Sequence, residues 1–252
     1  MSDEQKDVRL KSDNPAARLY SILSRAAQGG GGTNRHHLAR LLAAKTEEPT
    51  DVISALVDFH QMIEDAERKA SRVTVEEPIS REMITRPFPQ IRQIAMGWLQ
   101  SLDGPWNPNL AVDLTALELC SRMLSSQFSE PALAESETAA ITTSVEELLA
   151  KVSTSSLSED LKSSLIDGLT DLRRTIVNYP TFGAQAVRHA LVTVAGDVVI
   201  NYSVGSMDRS TPERSDILDH LERLVGLVLK AISIGQTLLP LAPFLLGVGQ
   251  GS

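Results

Sequence analysis

From Leu110 onward, apolar residues recur three and four positions apart through segments at about 110–128, 138–153, 159–178, 182–203 and 212–238. This period places them on one face of successive α-helices, so that no strand is needed. The chain before Leu110 has the same character. Asn14 and Pro15 supply a cap and a first helical residue ahead of Leu19, Tyr20, Ile22, Leu23 and Ala26. A second helix spans about Asn34 to Lys45. A third follows the Thr50 cap, carrying Val52, Ile53, Leu56, Phe59, Ile63 and Ala66. Aromatics make up only 4% of the 252 residues, so the core must be filled mainly by aliphatic side chains. The expected fold is all-α: a multi-helix bundle of about eight to ten helices ending in an apolar C-terminal segment.

Two stretches interrupt the pattern. The run QGGGG at 28–32 combines high backbone freedom with nothing to pack, and reads as a flexible joint. It lacks the following Lys-Ser or Lys-Thr and the preceding strand of a phosphate-binding loop. Between Val73 and Asn109, prolines at 78, 87, 89, 105 and 108 bound short segments around the helical PQIRQIAMGWLQSL, with Trp98 and Trp106 as packing anchors. The expected organisation is therefore a flexible N-terminus at 1–13, a helical hairpin region at 14–76, a proline-punctuated connection at 77–109, a helical bundle at 110–238 and an apolar tail at 239–252. The Val-rich stretch LVTVAGDVVINYSVG is ambiguous between a strand pair and a helix. Val187, Ala190, Leu191, Val194, Val198, Val199 and Tyr202 keep helical spacing, which favours the helix.

Charge narrows the partners. A formal charge of −8 argues against nucleic acid, whose phosphates demand a concentrated basic field. Residues 129–171 hold nine acidic residues and two lysines, a solvated face or a surface for a basic partner. The single cysteine, Cys120, sits among apolar neighbours and is expected to be a buried small hydrophobe. The first thirteen residues show neither the basic nor the apolar region of a secretory signal, so a reducing cytoplasm is the expected compartment, with a peripheral inner-membrane position open to it.

No cofactor pattern stands out. The histidines are His36, His37, His60, His189 and His220. His60 and Glu64 stand one helical turn apart, but two ligands do not make a metal site, and adjacent His36 and His37 point about 100° apart on a helix. Metal and cofactor are therefore expected to be none. The helices around TEEPT resemble a helix-turn-helix in outline. The second of them opens Asp51-Val52-Ile53-Ser54, without a basic, amide-rich reading face, so a plain helical hairpin is preferred.

One spacing resembles a catalytic signature. Arg214-Ser-Asp-Ile-Leu-Asp-His220 is similar to the arginine-to-histidine spacing of HEPN-type helical ribonucleases. That resemblance implies two paired chains, with Arg214 on the scissile phosphate and His220 as general acid or base. Residues 157–199 are also faintly similar to segments of uncharacterised bacterial helical proteins, a likeness that transfers no functional residue.

After Lys230 the chain carries no charge, and AISIGQTLLPLAPFLLGVG is 19 residues long, close to the minimum span of a bilayer. Pro240 and Pro243 would break a membrane helix, and Ser233, Gln236 and Thr237 dilute the apolar content. Leu238, Leu239, Leu241, Phe244, Leu245 and Leu246 are the candidate docking residues, seated in a core, on a partner chain or in a membrane. The favoured expectation is a non-enzymatic helical interaction or accessory protein that pairs with itself or with another chain, a layout that would suit bacterial defence. The alternative is the dimeric ribonuclease.

Overall fold

A computed structural model describes residues 14–75, 80–203 and 211–232. Its elements are α1 (Pro15–Gln28), α2 (Asn34–Leu41), α3 (Pro49–Ala70), α4 (Arg81–Thr85), α5 (Pro87–Gln100), α6 (Leu114–Gln127), α7 (Glu135–Thr154), α8 (Glu159–Val177), α9 (Tyr179–Ser203) and α10 (Pro212–Ala231). Among the described residues there is no strand, only an isolated bridge between Thr33 and Pro105. The fold is the expected all-α one. The Val-rich stretch from Leu191 to Ser203 is helical, and Val187, Ala190, Leu191, Val194 and Val198 are buried as its spacing predicts.

The chain divides into two units, Met1–Glu130 with Pro180–Gly183, and Pro131–Tyr179 with Ala184–Ser252. The division expected at 77–109 is corrected. That stretch lies within the first unit, where Ile84, Phe88, Ile91 and Trp98 join the same core as Leu19, Phe59 and Leu124. Its prolines mislead for a physical reason. Pro87 occupies the first position of α5, where a missing N–H costs no helical hydrogen bond, so it starts a helix instead of marking a linker.

In the first unit, Asn14 caps α1 by accepting from Ala17 N at 2.9 Å, and the same side chain donates to Ser121 O at 3.1 Å and Ser125 Oγ at 2.8 Å on α6. One buried amide thus ends a helix and fixes its neighbour. The glycine run is not the free joint its composition suggests. Trp106 N donates to Gly32 O at 3.0 Å, Asn34 N to Gly104 O at 2.9 Å and Arg35 N to Leu102 O at 2.7 Å, so this loop and the 101–106 turn hold one another. Gly31 and Gly32 adopt φ of 69° and 82°, a backbone that side chains resist, and a Cβ on Gly29 would lie 2.9 Å from Trp106 Nε1. The glycines let the loop close over a stack in which His37 meets Trp106 at 4.7 Å and Trp106 meets Trp98 at 5.6 Å between ring centroids.

A buried ion network ties this unit together. Arg18 on α1, its side chain 1% exposed, donates to Glu130 at 2.8 Å. Lys69 on α3 lies 2.9 Å from both Glu130 and Asp65. Gly183 closes the cage with φ of 74°, and a Cβ there would overlap the Arg18 guanidinium. This position breaks α9, so the chain turns sharply before residues 184–203 continue as helix.

The second unit is an antiparallel bundle of α7, α8, α10 and α9 from Ala184 onward. Arg173 of α8 pairs with Glu146 of α7 at 2.7 Å, and Lys151 of α7 pairs with Asp216 of α10 at 2.5 Å. Ser164 donates to Asp197 at 2.6 Å, and a Cβ on Gly168 would meet Val194 Cγ2 at 2.9 Å, so α8 and α9 approach closely where no side chain intervenes. Leu148, Leu165, Leu172, Val194, Leu221 and Val228 fill the interior. The first turn of α10 is tied to the end of α7 by an acidic side chain. Glu213 accepts from Ser156 N at 2.9 Å and Ser156 Oγ at 2.5 Å, and these hydrogen bonds hold its carboxyl below the usual range.

Two expectations follow for stability. Glu130→Ala strands the Arg18 charge in the core and should cost about 3–5 kcal/mol in urea unfolding, with Gly183→Ala also strongly destabilising through strained φ and overlap with the guanidinium. Cys120 is fully buried, and desolvation pushes its thiol up to about 12. Because the folded form holds this proton more tightly than the unfolded one, its contribution to stability is present below about pH 9 and is lost as pH rises towards 12. Its reaction with a thiol reagent at pH 8 should therefore follow the unfolding rate measured independently.

Candidate functional site

Arg214 and His220 both lie on α10, which opens at the Thr211 cap and Pro212. Six residues of helix separate them by about 9 Å of rise and about 120° of rotation, so one chain does not bring them to a shared face. Arg214 is half-buried in the first turn. His220 points into the second unit, 5% exposed. Its Nε2 lies 3.0 Å from Ser144 O and 3.2 Å from Ser144 Oγ, with Glu147 at 3.7 Å. Nε2–H therefore donates to the Ser144 carbonyl, while the buried Nδ1 has no hydrogen-bond partner among the described residues. This is the environment of a packed bundle histidine. For the ring to act on a phosphodiester, α7 and α10 would have to part.

His220→Ala should accordingly cost about 2–3 kcal/mol by removing the hydrogen bond to Ser144 and leaving the core underfilled, whereas Arg214→Ala should stay within about 0.5 kcal/mol. Chemical unfolding checks both. RNA cleavage by the parent that vanishes in both folded variants would establish the ribonuclease reading.

The candidate docking residues Leu238, Leu239, Leu241, Phe244, Leu245 and Leu246 lie outside the described residues. No helix among the described residues is long and apolar enough to cross a membrane. Nor do the described residues gather three or more metal-ligating side chains. His60 and Glu64 form a pair at 3.5 Å, and His36 pairs with Glu47 at 2.8 Å.

The surface feature that stands out was not read from the sequence. On α3 and α5, four large apolar side chains are exposed: Ile53 at 39%, Val57 at 52%, Met96 at 48% and Leu99 at 40%. Two independent contacts give the register of these helices. Glu67 is hydrogen-bonded to Arg92, and Phe59 meets Trp98 at 5.8 Å, so the helices run antiparallel. Ile53, Val57, His60, Glu64 and Glu67 follow one stripe of α3, and Arg92, Met96 and Leu99 follow one stripe of α5. The antiparallel register sets Leu99 level with the turn between Val57 and His60. In this register Val57, Met96 and Leu99 border the seam between the two helices, closed at one end by the Glu67–Arg92 pair, while Ile53 lies beyond the last residue of α5.

The α3 side of the seam carries the exposed His60–Glu64 pair, whereas its α5 side is almost free of charge. The exposed residues of α5 are Pro89, Gln93, Met96, Gly97, Leu99 and Gln100, none of them charged. Its one charge, Arg92, is committed: the hydrogen bond to Glu67, reinforced by the charges of Glu67 and Glu64 against some desolvation, raises its pKa. The signal available in the sequence was positional. Ile53 and Val57 lie off the Val52, Leu56, Phe59, Ile63, Ala66 stripe and so could not all face one core.

No family model, no curated protein and no solved structure matches this chain.

Proposed function

We propose that this chain is a non-enzymatic helical interaction protein that pairs with itself or with another chain, its uncharged C-terminal segment adding a docking or membrane contact. The observation that carries the reading is the exposed apolar seam of α3 and α5, since large apolar side chains grouped on a surface mark contact with another apolar surface. The length of chain after Lys230 without a charge supports it from the sequence side. The buried state of His220 weighs the balance away from acid–base chemistry, because an essential acid or base must reach its substrate.

The test compares the full chain with one ending at Ile232, which keeps the buried Ala231 and Ile232 of the second core. The shortened chain should retain its helical circular dichroism and lose part of its assembly, seen by sedimentation, or its co-flotation with liposomes. A full chain that stays monomeric and leaves liposomes untouched would overturn the reading as self-association or membrane contact.

A further inference from the structure

We infer that the uncharged C-terminal segment, residues 233–252, docks as a strap on the outward face of α9 in its own chain, with the apolar run from Leu238 to Leu246 lying along Val192, Gly196 and Ile200. The inference rests on the docking reading of that segment and names its seat.

The seat differs from the faces around it. In the second unit α7, α8 and α10 each present charge outward, as at Glu146, Asp167 and Arg223. From Ala184 onward the exposed residues of α9 are Gln185, His189, Val192, Thr193 and Ile200, with no acid, lysine or arginine among them. The charged residues on its flanks, Arg188 and Asp197, are half-buried, and Asp197 accepts from Ser164. Val192 and Ile200 are 40% and 63% exposed. With Gln185, His189 and Gly196 they recur three and four apart, opposite the buried stripe of Val187, Ala190, Leu191, Val194 and Val198. A helix that is apolar on both sides is normally covered on both. A Cβ on Gly196 would meet no heavy atom within 4 Å, so the stripe has an open dent between its two large side chains.

Connectivity brings the segment to that face. α7 and α10 run antiparallel through Lys151 with Asp216 and Ser144 with His220, and α8 and α9 do so through Ser164 with Asp197 and Gly168 with Val194. α7 and α8, joined by the turn Ser155–Ser158, are antiparallel as well. The last turn of α10 therefore lies at the end of the bundle from which α9 sets out at Ala184. From there the stripe runs about 17 Å between His189 and Ile200. Crossing the end of a four-helix bundle takes roughly 10–15 Å, and residues 233–237 reach about 17 Å when extended. The leucine-rich run that follows is thus delivered onto the stripe. It carries no charge, and neither does the face that receives it.

The tether decides between this occupant and a separate molecule. One helix stripe is far smaller than a standard interface, so the same contact between separate molecules would have a dissociation constant on the order of 100 µM. A short tether supplies an effective concentration on the order of 1 mM, which favours the docked form about tenfold within one chain. A second molecule at about 1 µM would fill only about 1% of such sites. Any partner or bilayer that takes up the segment must first compete with α9 for it.

The experiment measures thiol reactivity in two full-length chains, Leu245→Cys and Leu246→Cys, which sample opposite faces of the segment. Cys120 is buried and stays silent while the fold holds. Without lipid, at least one introduced thiol should react about tenfold more slowly than in a free peptide of the same sequence, equally at about 1 and 100 µM protein. Gly196→Arg fills the dent with a charged side chain at a position where arginine is a better helix former than glycine. It should keep the circular dichroism and melting curve of the chain ending at Ile232 and restore full reactivity, as should Val192→Glu with Ile200→Glu. Leu227→Glu, at a 40% exposed position on α10, should leave the slowing intact. Two thiols as reactive as in the free peptide overturn the inference. Slowing that Gly196→Arg leaves unchanged overturns it too, because the seat then lies elsewhere. Slowing that grows with protein concentration replaces the strap with docking between chains and leaves the interaction reading standing. A strap that holds in a chain that neither assembles nor floats with liposomes would survive while that broader reading fell.

Discussion

The first unit is organised around a positive charge that has no access to water. Arg18 sits in α1 among Leu19, Ile22 and Leu23, and a guanidinium there is tolerable only if the surrounding chain supplies its counter-charge and its shape. Glu130 provides the charge and Lys69 shares it, while Asp65 balances Lys69 in turn. Gly183 provides the shape, because any side chain at that point would occupy the guanidinium's own volume. A hydrophobic residue at position 18 would require none of these partners. The arginine thus fixes the placement of segments far apart in sequence, at the risk that losing one partner leaves a bare buried charge.

Elsewhere in that unit, ordinary devices do more than one task. Asn14 ends α1 and reaches α6, and Trp106 packs on Trp98 while its Nε1–H donates to Ala26 O at 3.3 Å. The glycine loop depends on the same ring, since it closes over Trp106 and His37. Through these shared residues, α1, α2, α5 and α6 are positioned by a small number of polar atoms within an aliphatic core.

Much of this was legible from the residues. Helical period identified every helix except the five-residue α4, the Asn14 cap fell at a real helix start while α3 begins at Pro49, ahead of the expected Thr50 cap, and Cys120, Trp98 and Trp106 are buried as expected. What escaped the sequence was long-range. Prolines at 87 and 89 look like linker punctuation unless their place in the first turn of α5 is known, and four glycines look free unless the 101–106 turn is seen against them. The seam was hidden for a related reason. An apolar residue at helical spacing is assigned to a core by default, and only the register of α3 against α5 shows that Ile53, Val57, Met96 and Leu99 have no core to enter. For Arg214 and His220 the spacing was visible, but the burial of the ring and the grip of Ser144 on it were not.

The position of residues 180–183 bears on how the molecule is made. They belong with the first unit although the intervening residues Pro131–Tyr179, including α7 and α8, belong to the second. On a chain synthesised from its N-terminus, the Arg18 cage cannot be completed when Glu130 emerges, because Gly183 has not yet been added. The first unit must wait in a state whose buried arginine is only partly enclosed, while the helices of the second are already able to form from local contacts. Order of synthesis and order of completion therefore diverge: the part of the protein that is made first is finished late, by a four-residue clasp delivered from downstream.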